Sequence, residues 1–202
     1  SPAEEKSLRR LSYGEREYRR QSGLLPSTKI LGNKRELLRQ MWREPSLSVN
    51  AIQASSRKDC ANIINEAAWC HMGLRLGPGM DPDESMHRLK THIVKNTPWG
   101  ARLEFSHESL NPPWSTAPEG PAFRAAARAL TKGYGRQAVF IGCGGSIPFV
   151  GPFSKALGGA PALLIGVEDP FSNAHSENES LHLGDFAKSI LSAIHLYWEL
   201  SL

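Results

Sequence analysis

The chain has 202 residues, of which 40% are hydrophobic and 22% charged, with a net charge of +4. This is the make-up of an ordinary globular protein with one or two small domains, and no apolar run approaches the roughly 20 residues of a membrane helix. No signal peptide is visible, and the opening SPAEEKSLRR has no initiator Met, so it reads as a cut or processed end.

Residues 1–45 are charged and helical in character, broken at Gly23, Pro26 and Gly32. Much of the positive charge lies here, at Lys6, Arg9, Arg10, Arg16, Arg19, Arg20, Lys34, Arg35, Arg39 and Arg43. A nucleic-acid surface would interleave aromatics with those bases. Only Tyr13, Tyr18 and Trp42 are at hand, and Glu4, Glu5, Glu15, Glu17 and Glu36 dilute the patch. A solvated helical surface is the better reading, with neither nucleic acid nor membrane as partner.

From about Ser46 the pattern changes. Trp69–Leu76 alternates, with Cys70, Met72, Leu74 and Leu76 on one face and Trp69, His71, Gly73 and Arg75 on the other, as a half-buried strand does. Ala101–His107 alternates too, setting Leu103 and Phe105 against Arg102, Glu104 and Ser106. Between them lies a helix: Asp81 caps it, Pro82 suits its first position, Glu84 completes a capping box, and Met86, Leu89 and Ile93 form its apolar stripe. Two-faced strands joined through a helix predict an antiparallel α+β unit over about 46–108.

After the Pro-rich break Asn111–Pro121, Phe123, Ala126, Ala127 and Leu130 stripe a helix expected to end at Gly133. Ala138–Ile141 and Ala162–Val167 are continuous apolar runs, typical of strands covered on both faces. Phe186, Ile190, Ile194 and Tyr197 stripe a closing helix. Residues 109–202 therefore read as part of a doubly wound α/β sheet, where ligands gather at the carboxyl ends of the strands.

Two segments carry chemistry. Val139–Gly151, VFIGCGGSIPFVG, opens a strand into a glycine turn. Gly142, Gly144 and Gly145 suggest a dinucleotide fingerprint with Glu168 as the ribose acid, but Ile147 stands where a third glycine belongs. Pro148 also removes an N–H from the phosphate end of the helix. On spacing alone a structural tight turn competes with a nucleotide-binding Rossmann-like module. The second segment is Asn173–Glu179, NAHSENE, a lone histidine in an acidic loop after a buried strand. Spacing alone leaves His175 between a solvated loop residue and a functional one. His87 and His92 are five apart and do not share a helical face, and no HExxH occurs. The cysteines, Cys60, Cys70 and Cys143, are odd in number and form no CxxC, which fits reduced thiols in a cytoplasmic protein.

The order of the pieces adds a resemblance. Met41-Trp42-Arg43-Glu44-Pro45-Ser46, Asn62-Ile63-Ile64, Arg75-Leu76-Gly77-Pro78-Gly79-Met80-Asp81-Pro82, Gly144-Gly145-Ser146-Ile147-Pro148 and Ala174-His175-Ser176-Glu177-Asn178-Glu179 follow one another as in one family. Over nearly its whole length the chain resembles the C-terminal half of the dinuclear-zinc metallopeptidases. These include aminoacylase, succinyl-diaminopimelate desuccinylase, carboxypeptidase G and the carnosine dipeptidases, and the dipeptidase-like branch is nearest. The GGSIP and AHSxNE pair is the specific part.

The resemblance implies an α/β fold: the C-terminal part of a doubly wound catalytic domain (109–202), an inserted α+β lid or dimerisation domain with an antiparallel sheet (46–108), and a lid-associated lead-in (1–45). It implies hydrolysis, by zinc-activated water, of the amide bond of a dipeptide or N-acyl amino acid with a free carboxylate. His175 would ligate one of two zincs, Arg75 would clamp the substrate carboxylate, Asn62 would contact the substrate across a homodimer, and Gly145 and Ser146 would hold the carboxylate. The family's prolines after Asn-Ile-Ile and before Asn178 are replaced here by Asn65 and Glu177. The remaining metal ligands and the general base are expected upstream of Ser1, in an enzyme of about twice this length, so the chain by itself is expected to be inactive. A non-catalytic dimerisation fragment or degenerate homologue is the competing class.

Overall fold

The computed structural model describes residues 8, 10–33, 36–58, 60–106, 109–143 and 147–201. The chain divides into two compact units, one of Ser1–Gln40, Ser115–Gly142 and Phe149–Leu202, the other of Met41–Trp114 and Cys143–Pro148. The segment as far as Gln40 groups with the C-terminal segments.

In the Met41–Trp114 unit, β1 (Ser46–Gln53) pairs antiparallel with β2 (Trp69–Arg75). The ladder sets Leu47 opposite Leu74, Val49 opposite Met72, and Ile52 opposite Cys70, with Asn50 skipped between Val49 and Ala51. That bulged residue resets the parity of β1, so Leu47, Val49 and Ile52 share a face despite their uneven spacing. Ser46, Ser48, Ala51 and Gln53 pair with Arg75, Gly73, His71 and Trp69 on the other face. The expected burial alternation of β2 is absent: His71, Met72, Gly73 and Leu74 are all half-buried and Cys70 is exposed. A two-stranded ladder has little beneath it to bury one face against.

The expected strand over Ala101–His107 is not formed in its described part, residues 101–106, which carries no ladder partner; His107 lies outside the described residues. The helix between follows its sequence signals. α3 runs Pro82–Asn96, and the Glu84 N–H donates to Asp81 Oδ1 at 2.8 Å. The capping box is only half made, because the Glu84 carboxylate turns down the helix to Arg88 at 2.6 Å. Met86, Leu89 and Ile93 are half-buried.

In the other unit, α1 (Glu15–Ser22) ends at Gly23 in the left-handed region, and Glu15–Arg19 and Glu17–Arg20 pairs neutralise much of its charge. α2 (Leu37–Arg43) leads from this unit into β1. The core is α4 (Pro121–Tyr134) packed on α6 (Leu183–Leu200), with Phe123, Ala125, Ala126 and Ala129 buried. α4 passes the expected stop at Gly133 and ends at Gly135, which takes φ 67°. Gly133 instead serves the packing, since a Cβ there would lie 2.0 Å from Ser192 Oγ and 2.8 Å from the Lys188 carbonyl oxygen. It is the notch that lets the helices meet. Glu199, its side chain only 7% exposed, receives Arg128 at 2.7 Å and Lys132 at 2.8 Å across the pair.

The apolar stripe of α6 does not form the expected core. Phe186, Ile190, Ile194 and Tyr197 are exposed, while the opposite side, through Ser192, meets α4. Ala138–Ile141 and Ala162–Val167 run without ladder bonds, so these two segments offer no sheet face for that stripe to cover. α5 (Val150–Ala156) follows the glycine turn. No helix among the described residues is long and apolar enough to cross a membrane.

Candidate active site

Arg75 stands at the end of β2, opposite Ser46 and on the face away from Leu47, Val49 and Ile52. It is exposed. Its backbone is fixed from the far side, since Gly77 approaches the end of α2 so closely that a Cβ would lie 2.6 Å from the Arg43 carbonyl oxygen. The Gly77 N–H points at Met80 Sδ, 3.3 Å away. The Met-Trp-Arg-Glu-Pro-Ser and Arg-Leu-Gly-Pro-Gly segments therefore meet, and they hold a long cation at a strand end.

Asn62 is in the same unit, in the exposed loop between β1 and β2, where the Ile63 N–H donates to the Ala61 carbonyl at 2.9 Å. Just beyond it, Ile63–Trp69 and Gln53 line an open groove. Arg75 does not line that groove. Gly145 and Ser146, and Gly144 beside them, lie outside the described residues.

His175 belongs to the other unit and is exposed at the tip of a tightly built loop. Its φ is 60°, and Asn173 and Asn178 also sit in the left-handed region, at 57° and 59°. Three such non-glycine residues within six positions are costly unless neighbouring contacts hold them. Those contacts are present. The Ser180 N–H donates to the Ser172 carbonyl at 2.9 Å, closing the loop at its neck. Ser172 is 2% exposed, and its hydroxyl accepts the Asp169 N–H at 2.9 Å. The Phe171 N–H donates to Asp169 Oδ1 at 2.6 Å. The Asn173 amide donates to the Glu177 carbonyl across the tip, and the Arg20 guanidinium of α1 lies 4.9 Å above the Phe171 ring.

Ser172 is not singled out by the sequence, and Asn173 and Arg20 stand out there only as the start of NAHSENE and as one of the lead-in cations. The one further signal is the pair of asparagines flanking His175, since Asn tolerates the left-handed region. Among the described residues no group of three or more His, Cys, Asp and Glu comes together to hold a metal ion. His175 has suitable donor chemistry, but these residues do not fit a complete metal centre.

No family model matches the chain. It is 30% identical over 171 residues to a cysteinylglycine-S-conjugate dipeptidase of Corynebacterium striatum, covering 84% of this chain and 38% of that protein. It is 28% identical over 181 residues to a Cys-Gly metallodipeptidase of Saccharomyces cerevisiae, covering 85% and 37%. The solved structure of the S. cerevisiae dipeptidase Dug1p superposes with a TM-score of 0.78 at 25% identity, over 98% of this chain and 42% of that one. The chain thus has the α/β fold of part of such a dipeptidase, and it spans a little over a third of the length of the curated relatives it matches.

Proposed function

From its similarity to these metallodipeptidases, we propose that the chain belongs to their metallopeptidase family and is part of an enzyme that hydrolyses the amide bond of a dipeptide or N-acyl amino acid bearing a free carboxylate. The observation that carries this is the match to metallodipeptidases through more than four-fifths of the chain. In this reading residues 46–108 are the lid and dimerisation domain, and 109–202 are the C-terminal part of the catalytic domain. Arg75 clamps the substrate carboxylate through its guanidinium fork. Gly145 and Ser146 contribute backbone and hydroxyl donors to the same carboxylate, and Asn62 makes a polar contact across a homodimer.

His175 is one imidazole ligand of a metal centre, with zinc, two per full-length chain, as the proposed cofactor. The other ligands and the general base come from outside these 202 residues. The bond-breaking step belongs to that assembly, and this chain's own groups bind and orient. The proposed compartment is the cytoplasm.

The test is a substrate panel on the full-length protein. Dipeptides with free C-termini, Cys-Gly among them, should be cleaved, and their C-terminal amides should be poor substrates. Equal turnover of both series, or of neither, contradicts the reading.

A further inference from the structure

We propose that Asn173 is the positioning residue of His175. This rests on the reading of His175 as a functional group. Asn173 grips the loop tip twice. Its carbonyl accepts the Ser176 N–H at 3.1 Å, and its side-chain amide donates to the Glu177 carbonyl. Together these bonds bracket Ala174 and His175, the latter held at φ 60°. A histidine in that conformation points its Cα–Cβ bond elsewhere than an extended residue would, so the bracket sets where the imidazole stands. The neck beneath is already fixed by buried Ser172 and by the Ser180–Ser172 bond. What remains to be set is the tip, and Asn173 sets it. Its own φ of 57° suits a short amide that reaches back along its own loop.

Asn173→Asp separates the bracket from simple tolerance of the left-handed region. Aspartate is the same size and tolerates the same backbone, but a carboxylate cannot donate to the Glu177 carbonyl. Asn173→Gly is the second variant, keeping the backbone freedom and losing the amide. The full-length protein carries each change, with His175→Ala as reference. Amide hydrogen exchange at Ser176, the His175 imidazole NMR shifts, and kcat and KM for a dipeptide are measured.

Both Asn173 variants should speed exchange at Ser176 by about fivefold, the size of one ordinary hydrogen bond. They should also move the imidazole signals and lower kcat with KM and melting temperature little changed. Wild-type exchange, shifts and kcat in Asn173→Asp, with His175→Ala inactive, overturns the positioning role alone. Full activity in His175→Ala overturns the reading beneath it.

Discussion

Ser192 of α6 occupies the space that a side chain on Gly133 of α4 would need: a Cβ would stand 2.0 Å from its Oγ and 2.9 Å from its backbone nitrogen. Removing the hydroxyl would relieve only the first clash. Gly133→Ala gains about 1 kcal/mol of helix propensity and loses about 1–3 kcal/mol to overpacking. The net loss, up to about 2 kcal/mol, should lower the thermal midpoint by as much as several degrees. Ser192→Ala should restore only part of it. A midpoint at or above wild type would show that the helices have room to part.

The same helix pair responds to pH. Hydrogen bonds from Lys132 and then Arg128 hold the Glu199 carboxyl below its ordinary range. The folded value lies below the unfolded one, so Glu199 stabilises the pair above the usual Glu range near about 4.3 and loses that effect as pH falls through the folded value. Glu199→Gln should be less stable than wild type at pH 7, and the gap should narrow toward pH 3. An unchanged gap in urea melts across that range contradicts the charge-based account.

Local signals are legible where the physics is local. The Asp81–Pro82 cap, the start of α3 and the existence of β2 follow from capping and alternation. β1 does not read as a strand, because the bulge at Asn50 breaks the period of two between Val49 and Ile52. Gly133 reads as a stop because one sequence does not show a neighbouring helix pressing on a glycine. The apolar runs at 138–141 and 162–167 have strand composition, but a ladder needs partners. The α6 stripe reads as core for the same reason and stands exposed. At the site, the position of His175 in a loop is legible, but the left-handed backbone that presents it is not.

Arg75 gives a substrate-dependent prediction for the full-length enzyme. A bidentate guanidinium–carboxylate pair contributes roughly 1.5–3 kcal/mol, or about 10- to 150-fold in kcat/KM. Arg75→Ala should lose that much on free-carboxylate substrates and far less on their amides. Arg75→Lys keeps the charge without the fork and should recover only part. Equal losses on both series would assign Arg75 to the fold rather than to the substrate.

The 202 residues taken alone should neither hydrolyse dipeptides nor retain two zincs per chain after dialysis, since no three candidate ligands converge among the described residues and a catalytic zinc needs three protein ligands and a water. Metal analysis with a dipeptidase assay on the purified chain checks this. Two bound zincs or measurable turnover would overturn it.

The most direct measurement is His175→Ala in the full-length protein, assayed for dipeptide hydrolysis and bound metal, with a melt of the metal-free form. The substitution should remove most activity and lower the metal content. It should barely move the metal-free midpoint, because the exposed imidazole is placed by its loop rather than holding it together. Wild-type activity and metal content in the variant would make His175 an ordinary loop residue and contradict the account.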